Sequence, residues 1–171
     1  MQFFCVTVRY KGSMTLDDFD RRLLNLVQDN AEQTAEALAA LVPLSPSAIQ
    51  RRLRRLREQG VISRTIAVAD PRRVGRPTFF VVGLHIESER PELLAELRRW
   101  LTKEDAVQQA FYVTGEADFI AVVTAPDAVG FEALMRRLVS ENPNVKRYTT
   151  NVAMSIVKRG LMIPVPPVAE D

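Results

Sequence analysis

The residues of this sequence that are best suited to bind a ligand form a basic run at 51–57, RRLRRLR. Glu58 is the only acidic residue near these five arginines. The wider segment 44–76 holds nine arginines against two acidic residues, whereas 14–43 holds two arginines against six acidic residues. A basic block of this size favours a polyanionic partner. The alternative is an ordinary charged helix face that contacts only solvent.

A helix with a well-marked beginning would carry this run. Ser45 is a favourable N-cap, and Pro46 suits the first helical position, where its missing N–H costs nothing. An apolar stripe at helical spacing would be buried, and Gly60 is a natural end for the helix. The opposite face would point outward. The residues predicted to bind DNA are therefore Ser45, Ser47, Gln50, Arg51, Arg52, Arg54 and Arg55.

This helix has the features of the recognition helix in a helix-turn-helix. The N-terminal residues of such a helix reach base edges in the major groove, and flanking residues hold phosphates. Arginine suits guanine and glutamine suits adenine, which are the residue types at positions 51 and 50. Arg52 and Arg55 lie at the flanks, where they could hold phosphates or extend over the domain. The predicted macromolecular partner is double-stranded DNA.

Two earlier helices would support the basic helix. Residues 15–30 carry apolar side chains at spacings of three and four, which predicts the first helix. Residues 33–42 are rich in alanine and predict a second helix, which Pro43 would end. Together with the basic helix and the segment that follows it, they predict a winged helix-turn-helix domain over residues 14–69.

Less regular segments flank this domain. Residues 1–13 predict an unstructured extension, with a short strand from FFCVTV as the alternative. Residues 61–68, VISRTIAV, predict a short strand pair or wing. Residues 70–77 are rich in proline, glycine and arginine and predict a linker, and residues 161–171 predict an irregular, proline-rich tail.

The second half of the chain alternates between strand and helix patterns. Strands are predicted at 78–86, 107–114, 119–125 and 145–157, and helices at 90–101 and 128–141. This β-α-β-β-α-β order is that of the ferredoxin-like fold, which we expect over residues 78–160. The fold class is therefore α+β, with an N-terminal helix-turn-helix and a second, ferredoxin-like domain.

One loop in the second half could bind a small ligand. Thr114, Gly115, Glu116, Ala117 and Asp118 join two apolar strands. The simpler interpretation is a hairpin turn, in which glycine supplies a positive φ and aspartate caps the backbone. In the alternative, free backbone N–H groups bind a ligand carboxylate, and Glu116 or Asp118 binds an ammonium group.

Several classes of function lack the residues they would need. Cys5 is the only cysteine and His85 the only histidine, so we expect no metal site, no catalytic triad and no cofactor. His85 sits in an apolar run and is expected to be structural. No apolar run approaches the roughly 18 residues of a membrane helix. The N-terminus lacks the order of a signal peptide, so we expect a cytoplasmic protein without a membrane partner.

Motifs in both halves resemble the Lrp/AsnC family of transcriptional regulators, over about residues 15–160. LDDFDRRLL resembles the opening helix of that family, and LSPSAIQRRLRRLREQGVI resembles its recognition helix and the entry to its wing. VTGEADFIAVVTAPD is similar to its effector loop, with Gly115 and Asp118 at the family's spacing. NPNVKRYTTNVAM is similar to its last strand. Pro43, Ala117 and Tyr148 depart from the pattern.

The resemblance implies a homodimer, which often assembles further, with a small effector near the loop of the second domain. The effector is typically an amino acid. The residues it assigns to that site are Thr114, Gly115, Glu116, Asp118 and Thr150. We therefore predict a sequence-specific DNA-binding transcriptional regulator that a small effector modulates. The alternative is an effector-sensing or scaffold oligomer that has lost specific DNA binding.

Overall fold

The computed structural model describes residues 15–71, 73–75 and 78–167. Within them the chain forms two compact units, residues 15–67 with 160–167, and residues 68–159. The extension predicted at 1–13 lies outside the described residues, as do parts of the predicted linker and tail.

The first unit is built from three helices, α1 (Asp18–Asp29), α2 (Ala35–Ala39) and α3 (Pro46–Glu58). Each begins at a capped N-terminus, where a side-chain oxygen of Asp17, Thr34 or Ser45 accepts a backbone N–H. The predicted cap and first residue of α3 are confirmed. The first helix begins later than predicted because Asp17 is its cap, and α2 is shorter than the pattern indicated.

The apolar stripes of the three helices meet in one core. The predicted inward face of α3 is confirmed, since Ile49, Leu53 and Leu56 are all buried. Burial of this stripe fixes the rotation of α3 about its axis, which is what turns the arginines outward. The complete cluster of buried residues is Leu23, Leu24, Leu38, Val42, Ile49, Leu53 and Leu56.

The turn between α2 and α3 accommodates Pro43. The N–H of Leu44 donates to the carbonyl oxygen of Val42 at 2.7 Å, which closes a three-residue turn around the proline. Such a turn needs a φ close to the value that the proline ring imposes, and it needs no N–H from its central residue. Val42 is buried, so the turn is anchored on the core.

The predicted strand pair at 61–68 is wrong. No strand is assigned to residues 61–71, and no described backbone group pairs with residues 63–69. The apolar residue that anchors this segment is Ile62, whose side chain packs against the first core and whose N–H bonds to Leu56. The apolar pattern therefore reflects one anchor beyond α3 rather than strand pairing.

The second unit has the predicted ferredoxin-like order. Its elements are β1 (Thr78–Ile86), α4 (Pro91–Lys103), β2 (Val107–Tyr112), β3 (Phe119–Ala125), α5 (Ala128–Glu141) and β4 (Val145–Val152). The strands lie in the order β2-β3-β1-β4, and each neighbouring pair is antiparallel. This arrangement confirms the predicted fold class.

The last strand ends five residues earlier than predicted. Val152 pairs with Phe80, and the N–H of Ala153 reaches the carbonyl oxygen of Phe79. In this register Thr78, the first residue of β1, lies opposite Met154, so β1 has no residue to pair with the predicted strand positions 155–157. The end of the partner strand therefore sets the end of β4.

One face of the sheet is covered by helices, and the opposite face is more exposed. Alternate residues of β1 and β3, such as Val82 and Ala121, join α4 and α5 in a buried core. On the opposite face Val81, Ile120 and Phe111 are exposed by 38%, 36% and 52%. The part of this open face around Val81, Ile120 and Phe111 is therefore an exposed apolar surface in the described part of the chain.

Candidate nucleic-acid interface and ligand loop

The exposed face of α3 presents a row of polar and basic side chains. Ser47, Gln50, Arg51 and Arg54 recur at spacings of three and four, and all are exposed. Within the described part of the chain, no carboxylate forms an ion pair with Arg51 or Arg54. Their guanidinium groups are therefore available for an anionic partner.

Ser45 has a structural task at the beginning of this row. Its Oγ accepts the N–H of Ala48 at 3.3 Å and lies 3.1 Å from the Oγ of Ser47. The predicted DNA contact at Ser45 is therefore combined with a capping role, and the hydroxyl of Ser47 is held close to the cap.

Two of the predicted DNA-binding arginines are engaged inside the domain. Arg52 donates to Asp17 at 2.7 Å and to Asp20 at 2.8 Å, and Arg55 donates to the other oxygen of Asp20 at 2.6 Å. Only 1% of the Asp20 side chain is exposed, against 21% of Arg52 and 44% of Arg55. The buried carboxylate of α1 therefore holds two arginines of α3.

Further contacts hold Arg52 in this position. Its guanidinium lies 5.5 Å from the centre of the Phe19 ring. Burial acts to raise the pKa of Asp17, but the N–H of Asp20 and the guanidinium of Arg52 outweigh it, so the pKa lies below its ordinary value of 3.8. The small contribution of Asp17 to folding is therefore present above that value and is lost as the pH falls through the lowered pKa.

Sequence reasoning missed this link between α1 and α3, although a signal for it exists. Asp17 and Asp20 are three residues apart, and so are Arg52 and Arg55. Residues three apart lie on one face of a helix, so two acidic residues and two basic residues at this spacing can face each other across two neighbouring helices. The pairs are separated by more than 30 residues in sequence, so no local rule joins them.

The loop between β2 and β3 has the geometry of a turn. Gly115 has a φ of +132°, a conformation that side chains disfavour. The N–H of Val113 donates to the carbonyl oxygen of Asp118, and the carboxylate of Asp118 accepts the N–H of Ile86 at 2.8 Å. Asp118 therefore anchors the loop to the end of β1, whereas Thr114 and Glu116 are exposed.

The open face of the sheet brings the loop close to β4 at a glycine. A Cβ added to Gly83 would lie 2.7 Å from the Oγ1 of Thr149 and 3.3 Å from the Cβ of Ala117. Thr150, which the resemblance assigned to the effector site, follows Thr149 in β4 and points to the other face of the sheet. The residue of β4 that shares a face with the loop is therefore Thr149.

Other kinds of site find little support in the described ranges 15–71, 73–75 and 78–167. No cluster of three or more His, Cys, Asp or Glu side chains is placed there to hold a metal ion. None of the helices in these ranges is long and apolar enough to span a bilayer. His85 is buried on β1, as expected for a structural residue.

A helix-turn-helix with a free basic face, joined to a ferredoxin-like domain, defines a DNA-binding regulator with a separate ligand-binding domain. Comparisons with known proteins agree. Residues 16–57 match the AsnC-type helix-turn-helix domain, and residues 80–163 match the Lrp/AsnC ligand binding domain. An uncharacterized HTH-type transcriptional regulator, y4tD, from Sinorhizobium fredii is 41% identical over 153 residues, which is 90% of each chain.

Two further comparisons extend this likeness. The crystal structure of an AsnC family transcriptional regulator from Agrobacterium tumefaciens has a TM-score of 0.81 at 25% identity, covering 87% of this chain and 97% of its own. A leucine-responsive regulatory protein from Haemophilus influenzae is 26% identical over 149 residues, 87% of this chain and 90% of its own. The chain belongs to the Lrp/AsnC family of transcriptional regulators and is not an enzyme.

The buried carboxylate of Asp20 generates a stability prediction. Asp20→Asn keeps the shape of the side chain but replaces one acceptor oxygen with an N–H donor that faces an arginine. We expect the free energy of unfolding to fall by about 1–3 kcal/mol, the cost of leaving buried polar groups without partners. Urea unfolding followed by circular dichroism measures this change.

The matched control is Asp29→Asn at the exposed end of α1, which should change the free energy of unfolding by less than about 0.5 kcal/mol. Equal stabilities of the two variants would show that the Asp20 network does not hold the helices together.

Proposed function

We propose that this protein is a sequence-specific regulator that reads duplex DNA with α3 and whose DNA affinity a small effector, an amino acid, modulates. The observation that carries the proposal is the exposed row of polar and basic side chains on α3, in which Arg51 and Arg54 have no ion-pair partner in the described part of the chain. A helix of this kind fits the major groove, where side chains reach base edges.

In this proposal the bases are contacted by the exposed residues of α3 that form no ion pair within the domain. Gln50 suits adenine, and Arg51 and Arg54 suit guanine, because each offers the matching pair of donors or acceptors. Ser47 lies at the beginning of the same row and can contact either a base or a phosphate. These assignments follow from exposure and residue type.

Arg52 and Arg55 take a different part in the proposal. Arg55 uses one amino group on Asp20 and keeps 44% of its side chain exposed, so its remaining donors can hold a phosphate. Arg52 is held by two carboxylates and serves chiefly to position α3, with at most a secondary contact to the DNA backbone. Ser45 supports the row as the helix cap.

The effector proposal centres on the loop at 114–118. Backbone N–H groups of the exposed residues Thr114, Gly115 and Glu116 would bind the carboxylate of an amino acid, and the carboxylate of Glu116 would bind its ammonium group. Asp118 and Thr149 would shape the site. A relative from Haemophilus influenzae that bears the name leucine-responsive regulatory protein supports this class of effector.

Self-association through the open sheet face completes the proposal. Val81, Ile120 and Phe111 form an exposed apolar surface, and two such sheets pack face to face about 10 Å apart in β-sandwiches. A homodimer would cover this surface and would supply two recognition helices for two half-sites, and further assembly is compatible with it.

The alternative is an oligomer that has lost specific DNA binding, and the feature of the sequence that favours it is Pro43, which departs from the family pattern in the turn before α3. The turn accommodates this proline while keeping Val42 buried, so the substitution gives no reason to expect a distorted helix-turn-helix. Competition between specific and random duplexes distinguishes the two functions.

The first prediction for this function concerns base reading. Gln50→Ala and Arg51→Ala should each reduce discrimination between a selected site and random DNA by about 1–3 kcal/mol, because base contacts carry specificity. Arg55→Ala should weaken binding to both duplexes equally.

DNA binding by the wild type should also depend strongly on salt. A plot of the logarithm of the binding constant against the logarithm of the salt concentration should have a slope of about −4 to −7, corresponding to contacts with roughly 4–8 phosphates per dimer.

Arg99→Ala is the charge-matched control, since Arg99 is exposed on α4, and it should leave discrimination unchanged. A wild-type slope near zero would contradict DNA binding by this face. Equal losses on both duplexes for all three α3 variants would contradict the assignment of the base-reading residues.

A second prediction concerns the effector. Gly115→Val should leave DNA binding by the unliganded protein intact but abolish the response to amino acids, because valine disfavours a φ of +132° and would crowd the loop. The coupling at stake is about 1–3 kcal/mol, a 5- to 150-fold change in DNA affinity. DNA titration of wild type and variant, with and without a panel of amino acids, measures it, and a variant that responds like the wild type would place the effector elsewhere.

A third prediction concerns the open face. Val81→Asp should reduce self-association at micromolar concentration, since a charge on the apolar face cannot be buried without a partner. Val129→Asp is the control, because Val129 is 75% exposed at the beginning of α5, away from this face. Analytical ultracentrifugation compares the two, and an unchanged oligomer in Val81→Asp would exclude this face as the interface.

A further inference from the structure

The C-terminal segment (residues 161–167) returns to the first unit and lies along α1. Gln28 and Ile163 exchange two hydrogen bonds, each 2.9 Å long, between the side-chain amide and the backbone N–H and carbonyl. Asn25 and Val165 exchange a second pair, at 2.9 and 3.1 Å. Arg21 donates to the carbonyl oxygen of Pro166 at 2.9 Å. One face of α1 therefore binds an extended backbone as a neighbouring strand would.

The sequence of the segment suits this mode of binding. Residues 163–166 read Ile-Pro-Val-Pro, so the residues with an N–H alternate with prolines that have none. The two N–H groups that are present, those of Ile163 and Val165, both donate hydrogen bonds to side chains of α1. Proline also fixes φ near −65°, which lowers the conformational entropy that docking must overcome.

The side chain of Val165 adds an apolar contact to these hydrogen bonds. It is partly buried and packs against the core cluster of the first unit. Residues of the DNA-binding unit are thus supplied from both ends of the sequence, since Asn25 and Val165 are 140 positions apart. Val165 therefore extends the apolar contacts at the edge of the helix-turn-helix core.

The helix that receives the segment is also the helix that holds α3. Asp20 of α1 binds Arg52 and Arg55 of α3, next to Arg21, which binds the C-terminal segment. A contact that stabilises α1 therefore also stabilises the position of the recognition helix. The physical path runs from segment to α1, and from the carboxylate of Asp20 to α3.

We propose that the C-terminal segment has a structural role in DNA binding. The segment holds α1 in place, and α1, through Asp20, keeps α3 in the position in which it reads DNA. The segment follows Arg159, which belongs to the second unit, where its guanidinium donates to the carbonyl oxygen of Ala69 and lies over Phe79. Only residues 160–162 separate that anchor from Ile163. The segment thus gives the ligand-binding domain a second covalent hold on the DNA-binding unit.

The test uses the full-length protein and two kinds of variant. Asn25→Ala combined with Gln28→Ala removes the four amide hydrogen bonds from α1. Pro164→Gly combined with Pro166→Gly leaves every helix residue intact and only loosens the segment. Gln33→Ala is the matched control, because its amide bonds to Leu26 and Asn30 and not to the segment.

Hydrogen–deuterium exchange of α1 and α3 is the primary readout. Both double variants should exchange roughly 5- to 30-fold faster in these helices than wild type and Gln33→Ala, which corresponds to a loss of about 1–2 kcal/mol in the free energy of opening. Both should also bind a random duplex at low salt more weakly than wild type. The effect should be smaller for the proline pair.

Wild-type exchange in both double variants would overturn the proposal, and so would faster exchange without weaker DNA binding. The DNA readout rests on the proposed function, whereas the exchange does not. A wild type that binds no duplex would count against the proposed function, and the exchange of α1 and α3 would still decide whether the segment holds them.

Discussion

The buried carboxylate of Asp20 is the interaction on which the DNA-binding unit depends. A carboxylate that is only 1% exposed would be costly without partners, and Arg52 and Arg55 supply them at 2.8 and 2.6 Å. Such a network adds little net stability over apolar packing. It does constrain the relative position of the two helices, because a displaced partner leaves a buried charge unpaired. Asp20 therefore fixes where α3 lies relative to α1, while the apolar stripe fixes which face of α3 is turned outward.

This constraint divides the basic residues of α3 into two groups. Arg52 and Arg55 are oriented by carboxylates, whereas Arg51 and Arg54 have no ion-pair partner in the described part of the chain. The ion pairs of Arg52 and Arg55 restrict the position of α3 before DNA binds, so Arg51 and Arg54 point in a fixed direction. Preorganisation of this kind lowers the entropy that binding must overcome.

Local signals in the sequence were sufficient for most of the fold, and non-local contacts explain what they missed. The cap at Ser45, the buried stripe of α3 and the β-α-β-β-α-β order all rest on short-range patterns, and the structure bears them out. The errors at 61–68 and at the end of β4 arose because a strand needs a neighbour, which periodicity cannot supply. The Asp20 network and the docked C-terminal segment join residues 32 to 145 positions apart, so no local rule could identify them.

The same non-local contacts change how the domains should be understood. In sequence the chain has a DNA-binding domain, a linker, a ligand-binding domain and a tail. In contacts, residues 160–167 belong with 15–67, so the ligand-binding domain is inserted within the DNA-binding unit rather than attached behind it. An attached domain is connected at one end only, and a single flexible linker absorbs its motions. An inserted domain is connected at both ends. Here one of the two connections is hydrogen-bonded to Asn25 and Gln28 of α1, the helix that carries Asp20. The ligand-binding domain therefore has a second covalent connection to the DNA-binding unit, and this connection is a short proline-containing segment that is hydrogen-bonded to α1.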